Sequence, residues 1–184
     1  MYKPRFFDDY SEGAHRRVLE RRARTNRSQE PGYGDDTVSQ RAAALLKQAI
    51  GNASAAVHFV SGGTQANLIA LASMLKPYES IIAATTAHIC VHETGAIEAT
   101  GHKIHTVPGN DGKLDPEQIR LVVSQHVDEH MTVPRVAFIS QATEAGTLYS
   151  KAELTALSST CRELGIYLYM DGARLASALA SDAA

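Results

Sequence analysis

Asp171-Gly172-Ala173-Arg174 joins an acid to a base across two small residues, directly after the apolar run Ile166 to Met170. Such a run reads as a strand, and Arg174 to Leu179 as the helix that follows it. The aspartate then stands at the carboxyl end of a strand, where open α/β sheets gather their ligands. A second such place is Val57-His58-Phe59-Val60, followed by Ser61-Gly62-Gly63-Thr64-Gln65-Ala66-Asn67. There a strand meets two glycines and a helix beginning at Thr64, whose free amides and positive dipole end favour a phosphate. Gly62 and Gly63 let the backbone approach an anion closely, and the Thr64 hydroxyl adds a donor. No lysine follows the glycines and the pattern is not GxGxxG, so neither a Walker loop nor a dinucleotide turn is indicated. A plain tight βα turn would use the same residues. His88 lies just past a third apolar run, Ser80 to Ala84, where an imidazole can lie flat on an aromatic ring; a structural histidine fits that position as well. His92 reads as a supporting or capping residue.

A phosphate anchor at one strand end and a carboxylate at another together suit a pyridine that carries a phosphate, which is pyridoxal phosphate. An aspartate beside the ring nitrogen keeps that nitrogen protonated, and a protonated ring withdraws electrons from the α-carbon of an amino acid.

The elements that must hold these groups follow from the periodicity. Strands are expected at Val57 to Val60, Ser80 to Ala84, Lys103 to Val107, Arg135 to Ser140 and Ile166 to Met170, and helices at Thr37 to Ile50, Thr64 to Leu75, Pro116 to His130 and Lys151 to Leu164. Asp115 before Pro116 is an N-cap with proline at the first helical position, and Ser150 with Glu153 forms a capping box. Gly51 and Gly165 stand where helix ends favour positive φ. Alternating βα units of this size imply an α/β fold with a mostly parallel sheet and helices on both faces, in one domain.

Composition narrows the function classes. In 184 residues, 44% are hydrophobic and 21% charged, enough for a real core, and the net charge of −2 gives no basic field for nucleic acid. The cluster Arg16, Arg17, Arg21, Arg22 and Arg24 alternates with apolar residues at helical spacing and reads as a solvated helix face. Cys90 and Cys161 match no CxxC pair, which favours a reducing compartment. No apolar run is long enough to span a bilayer, and Met1 to Tyr10 has no signal-peptide core, so no membrane partner and a cytoplasmic location are expected.

Taken in order, the segments resemble the threonine aldolases, in the β-eliminating lyase branch of pyridoxal-phosphate enzymes with the aspartate-aminotransferase fold (fold type I). The resemblance rests on residues 7 to 13, 32 to 36, 61 to 67, 87 to 103, 111 to 114 and 171 to 174. It implies cleavage of threonine, allo-threonine and related β-hydroxy-α-amino acids to glycine and an aldehyde, by a homodimer or homotetramer using pyridoxal phosphate. Gly62, Gly63 and Thr64 then match the phosphate cradle, His88 the ring-stacking histidine and Asp171 the partner of the ring nitrogen. Arg174 matches an arginine that grips the substrate carboxylate, a task its planar fork suits. Asp9 and Ser11 are expected near the substrate, and Tyr33, with Asp35 and Asp36, in a loop near a subunit interface. No metal is implied.

Two departures from the family pattern stand out. Glu144 occupies a position where some threonine aldolases carry a histidine near the substrate hydroxyl, and a carboxylate there could accept that proton. The lysines, Lys3, Lys47, Lys76, Lys103, Lys113 and Lys151, all precede Asp171, whereas the family binds its cofactor covalently through a later lysine. The expectation is therefore a partial large domain over 1 to 184, without the later strands and the small carboxyl-terminal domain. Such a chain is expected to be inactive alone, with an unpaired sheet edge that favours self-association. The alternatives are a β-eliminating lyase acting on other amino acids and a non-catalytic remnant that associates with full-length subunits. A separate rival is a zinc site at His126-Val127-Asp128-Glu129-His130, which matches HxxEH if both histidines lie on one helix.

Overall fold

A computed structural model describes residues 8–181; Lys3 and Phe7, the first residue of the first motif, lie outside them. The chain divides between Phe59 and Val60 into two units. The first holds α1 (Arg16–Thr25) and α2 (Thr37–Ala49), neither of which buries a residue. In α2 the Asp36 side chain accepts from the Ser39 amide at 2.8 Å, a side-chain cap on the helix start.

The second unit contains α3 (Gly63–Met74), β1 (Glu79–Ala84), α4 (His88–Val91), β2 (Ile104–Val107), α5 (Pro116–Ser124), β3 (Val133–Ser140), α6 (Lys151–Glu163), β4 (Tyr167–Asp171) and α7 (Leu175–Leu179). Its four strands are all parallel, in the order β2-β1-β3-β4. The central strands are apolar on both faces because both faces are covered. Ile82, Ala84, Ala137 and Ile139 pack with Ile119 and Val122 of α5 and Leu157 and Cys161 of α6. Ile81, Ala83, Val136 and Phe138 pack on the other face with Leu71 of α3 and with Ile89 and Ile97. The α/β class with helices on both faces is thus present, here as a parallel four-stranded sheet.

The connection from β1 goes to β2 on one side, and the chain then crosses to β3 on the other. That reversal makes the carboxyl ends of β1 and β3 a switch point, where open α/β sheets leave a crevice.

Local signals account for the helix ends. Asp115 with Gln118 and Ser150 with Glu153 form complete capping boxes at α5 and α6. Gly51 and Gly165 adopt φ of 68° and 67°, the left-handed turn that ends a helix without Cβ strain. Replacing Ser150 by alanine removes the acceptor for the Glu153 amide and is expected to lower stability by about 1 kcal/mol in urea unfolding.

Three expectations are corrected. Val57 to Val60 is not a strand: no neighbouring strand pairs with it among the described residues, and without a ladder an extended segment has no reason to stay regular. The helix from Pro116 ends at Ser124, not His130, because a further turn would gain little apolar burial: of residues 125 to 130 only His126 is half-buried, and Val127 is 83% exposed. His126 and His130 therefore share no helix face, which removes the basis of the zinc motif. Arg174 is the cap before α7 and not its first residue, since its φ and ψ of −117° and 20° are not helical.

His126 instead packs edge-on against His105, with ring centroids 4.1 Å apart, and its Nδ1 lies 2.7 Å from the Val122 carbonyl. His105 Nε2 meets the hydroxyls of Ser80 and Thr132 at 3.1 and 2.9 Å. Burial, then the neighbouring His126 and Lys103, push the His105 pKa from 6.5 down to about 4. The unfolded chain therefore binds the extra proton between these values, so this contribution to stability is complete above about pH 6.5 and is lost as pH falls through about 4. His105→Gln is expected to flatten the pH dependence of the urea midpoint in that window.

Candidate functional site

Three strand ends deliver the residues in question. Asp171 is the last residue of β4, in register with Ser140 of β3, and its carbonyl accepts from the Gln141 amide at 2.9 Å. His88 opens α4, four residues beyond the end of β1. Glu144 follows β3, so His88 and Glu144 come from the two sides of the switch point. They meet there: Glu144 Oε1 accepts from the His88 amide at 3.1 Å and from the Ser140 hydroxyl at 2.8 Å.

Beneath them lies a polar cluster that motif reading did not single out. Asn67, 2% exposed on the second turn of α3, donates through Nδ2 to Glu93 Oε1 at 2.7 Å and to Asp171 Oδ2 at 2.9 Å. Its Oδ1 accepts from the Tyr169 hydroxyl at 2.9 Å. Burial and the charges of Asp171 and Glu93 push the Tyr169 pKa up to about 12, so the phenol stays a donor at neutral pH. A donor on Oδ1 sets the direction of the amide, whose two N–H groups then face the two carboxylates. The imidazole Nδ1 of His88 lies 2.8 Å from the same Glu93 Oε1. One buried amide and one buried carboxylate thus tie His88 to Asp171. The available signal in the sequence was polarity out of place at Asn67, which precedes the apolar run Leu68 to Leu71; Glu93, between His92 and Thr94, carried no such signal.

The remaining expected residues lie around this cluster or in the other unit. Gly62, Gly63 and Thr64 form the exposed start of α3, and a Cβ added at either glycine would meet nothing within 4 Å. Gln65 folds back so that its Oε1 accepts from both the amide and the hydroxyl of Ser61, each at 2.8 Å, fixing the turn. Arg174 is exposed, three residues beyond Asp171. Ser11 and Tyr33 belong to the first unit, where the Ser11 hydroxyl donates to Asp8 Oδ2 at 2.8 Å and Tyr33 is fully exposed with φ of 64°.

These groups suit an anion joined to a basic aromatic nitrogen. The α3 start offers amide donors over open backbone, and Asp171 offers a carboxylate to a protonated nitrogen. Asn67, which touches Asp171, is four residues beyond Gly63 on the same helix, or about 6 Å along its axis, comparable to a pyridine ring and its phosphate arm. Ligand atoms of His88, Glu93 and Asp171 also lie within 4.8 Å of one another, a spacing that can hold a metal ion. The Asn67 amide donates to both carboxylates in that space, so a cation would have to displace it. Cys90 is a poor ligand or nucleophile: burial, then Glu98 and Glu144, push its thiol up to about 11. Among the described residues no helix is long and apolar enough to cross a membrane.

The chain matches the family model described as beta-eliminating lyase over residues 8–184. It is 42% identical over 160 residues to the low specificity L-threonine aldolase of Pseudomonas aeruginosa, covering 86% of this chain and 46% of that protein. A solved threonine aldolase from Leishmania major is 49% identical and superposes with a TM-score of 0.92, covering 94% of this chain and 51% of that one. An aspartate aminotransferase from Thermus thermophilus, 18% identical with a TM-score of 0.63 over 84% of this chain and 40% of that one, shares the fold. The chain spans about half the length of the curated relatives it matches.

Proposed function

Because the chain belongs to the beta-eliminating lyase family, we propose that it serves a pyridoxal-phosphate-dependent aldolase that cleaves threonine, allo-threonine and related β-hydroxy-α-amino acids to glycine and an aldehyde. The observation that carries this reading is the Asn67 amide, which joins the Asp171 carboxylate at one strand end to the Glu93–His88 pair at another. When bound, the cofactor would supply an electron sink for the α-carbon.

The chain's own residues divide the remaining work. The amides at Gly62 and Gly63, with the Thr64 hydroxyl, hold the phosphate at the α3 start. Asp171 keeps the proton on the ring nitrogen, with Asn67 and the Ala173 amide, the latter at 3.0 Å, orienting its oxygens. His88 packs on the ring, and Arg174 grips the substrate carboxylate. Glu144 has Oε1 engaged by the His88 amide and Ser140, which leaves Oε2 to take the proton of the substrate hydroxyl. Ser11 and Tyr33 stand as substrate-side residues on the strength of their motifs. A homodimer or homotetramer in the cytoplasm belongs to the same proposal, supported by the apolar side chains that α2 leaves exposed, among them Leu45 and Leu46 at 56% and 46%.

The test is a titration of the purified chain with pyridoxal phosphate, followed by visible absorbance, and then addition of threonine to a form of the protein that also carries the family's later lysine. Saturable binding with glycine and acetaldehyde as products supports the reading. Ammonia and a keto acid in place of glycine would assign β-elimination, and absence of saturable binding would overturn the cofactor assignment.

A further inference from the structure

Glu93 is the most costly side chain in the cluster. It is 2% exposed, and its Oε2 is buried with no hydrogen-bond partner among the described residues. Its Oε1 meets both the Asn67 amide and the His88 imidazole, at 2.7 and 2.8 Å. A buried carboxylate with half its acceptor capacity unmet lowers stability and is replaced at little loss by an apolar residue where only packing matters. Such a group is explained by what it does to its neighbours.

Its neighbours define that effect. The Asn67 Nδ2 that faces Glu93 carries hydrogens, because its Oδ1 accepts from Tyr169. As a carboxylate, Glu93 Oε1 can only accept, from Asn67 and from His88 alike, and the neutral His88 ring can then bond to it only with the proton on Nδ1. We propose that Glu93 is a positioning residue that holds His88 as the Nδ1–H tautomer, with Asn67 bracing the same carboxylate against Asp171. The ring of His88, whose side chain is 38% exposed, then carries an acceptor and not a donor at Nε2. Asp171 and His88 are braced through one amide, so a change at Glu93 reaches both. This extends the cofactor-site reading given above and rests on it for its functional meaning, but the tautomer itself is a property of the chain.

The experiment is a two-bond proton–nitrogen correlation spectrum of the 15N-histidine-labelled 184-residue chain without cofactor, under alkaline conditions where the ring is neutral. His88→Gln identifies the His88 signals. The proposal requires Nδ1–H in the parent, retention of Nδ1–H in Glu93→Gln, whose amide oxygen still accepts, and a shift to Nε2–H in Glu93→Leu. Nε2–H in the parent, or the same tautomer in the Gln and Leu variants, overturns it. Should Glu93→Leu fail to fold, the parent and Gln spectra still decide, with loss of Nδ1–H in the Gln variant also counting against it. A parallel pyridoxal phosphate titration is expected to show affinity about tenfold weaker in Glu93→Leu than in Glu93→Gln. If the parent binds no pyridoxal phosphate, the cofactor reading fails while the tautomer result still judges the role of Glu93.

Discussion

Replacing Asn67 by leucine is expected to lower the unfolding free energy by about 3 kcal/mol, although leucine is similar in size and suits an apolar helix. The amide is the shared donor of two carboxylates, one of them 2% exposed, and the acceptor for a phenol that burial keeps protonated. Leucine leaves Glu93 with His88 as its remaining partner among the described residues and brings the two acids together across an apolar wall. Charged groups orphaned in this way cost more than the packing gained, which is why the sign differs from that of an ordinary polar-to-apolar core change. Urea unfolding at neutral pH measures it. A variant as stable as the parent would mean that the three contacts contribute little and that the cluster is looser than its distances indicate.

Asp171→Asn is expected to weaken pyridoxal phosphate binding by about tenfold and, in a form of the protein that also carries the family's later lysine, to slow glycine formation from threonine by roughly a thousandfold, or about 4 kcal/mol of transition-state stabilisation. Asparagine keeps the shape of the side chain and can still accept from either Asn67 or the Ala173 amide, which bond to different oxygens of Asp171, so the loss to the fold should be limited to one of these two hydrogen bonds. What it removes is the charge that would hold a proton on the ring nitrogen. Asp171→Glu keeps the charge but moves it by one methylene, out of register with Asn67, and should fall between the two. Binding is read by absorbance and the rate by glycine analysis; an Asn variant with the parent's affinity would separate Asp171 from the cofactor.

Much of the scaffold was legible because its signals are local. Asp115 and Ser150 cap helices through atoms three residues away, and Gly51 and Gly165 end them through their own backbone freedom. Ile81 to Ala84 and Val136 to Ile139 are apolar throughout because a parallel strand is covered on both faces. The misread elements are those whose state depends on distant partners. Val57 to Val60 has strand composition but no strand beside it, and the segment after Ser124 is helix-compatible but has no core to cover.

By itself the sequence determined the family and the α/β class, and it pointed to the residue types that suit a phosphate, a basic ring and a carboxylate, because these are written in short contiguous motifs. Asp171 could be placed at a strand end without knowing what lay next to it. Only the tertiary structure decided what holds it there: Asn67 is 104 residues away in sequence and 2.9 Å away in space. The same holds for Glu144, whose contact with the His88 amide spans 56 residues. A hydrogen bond between side chains on different elements leaves no periodic trace in the chain, so the network that braces His88 and Asp171 emerges only when sheet order and register bring β1, β3, β4 and α3 together.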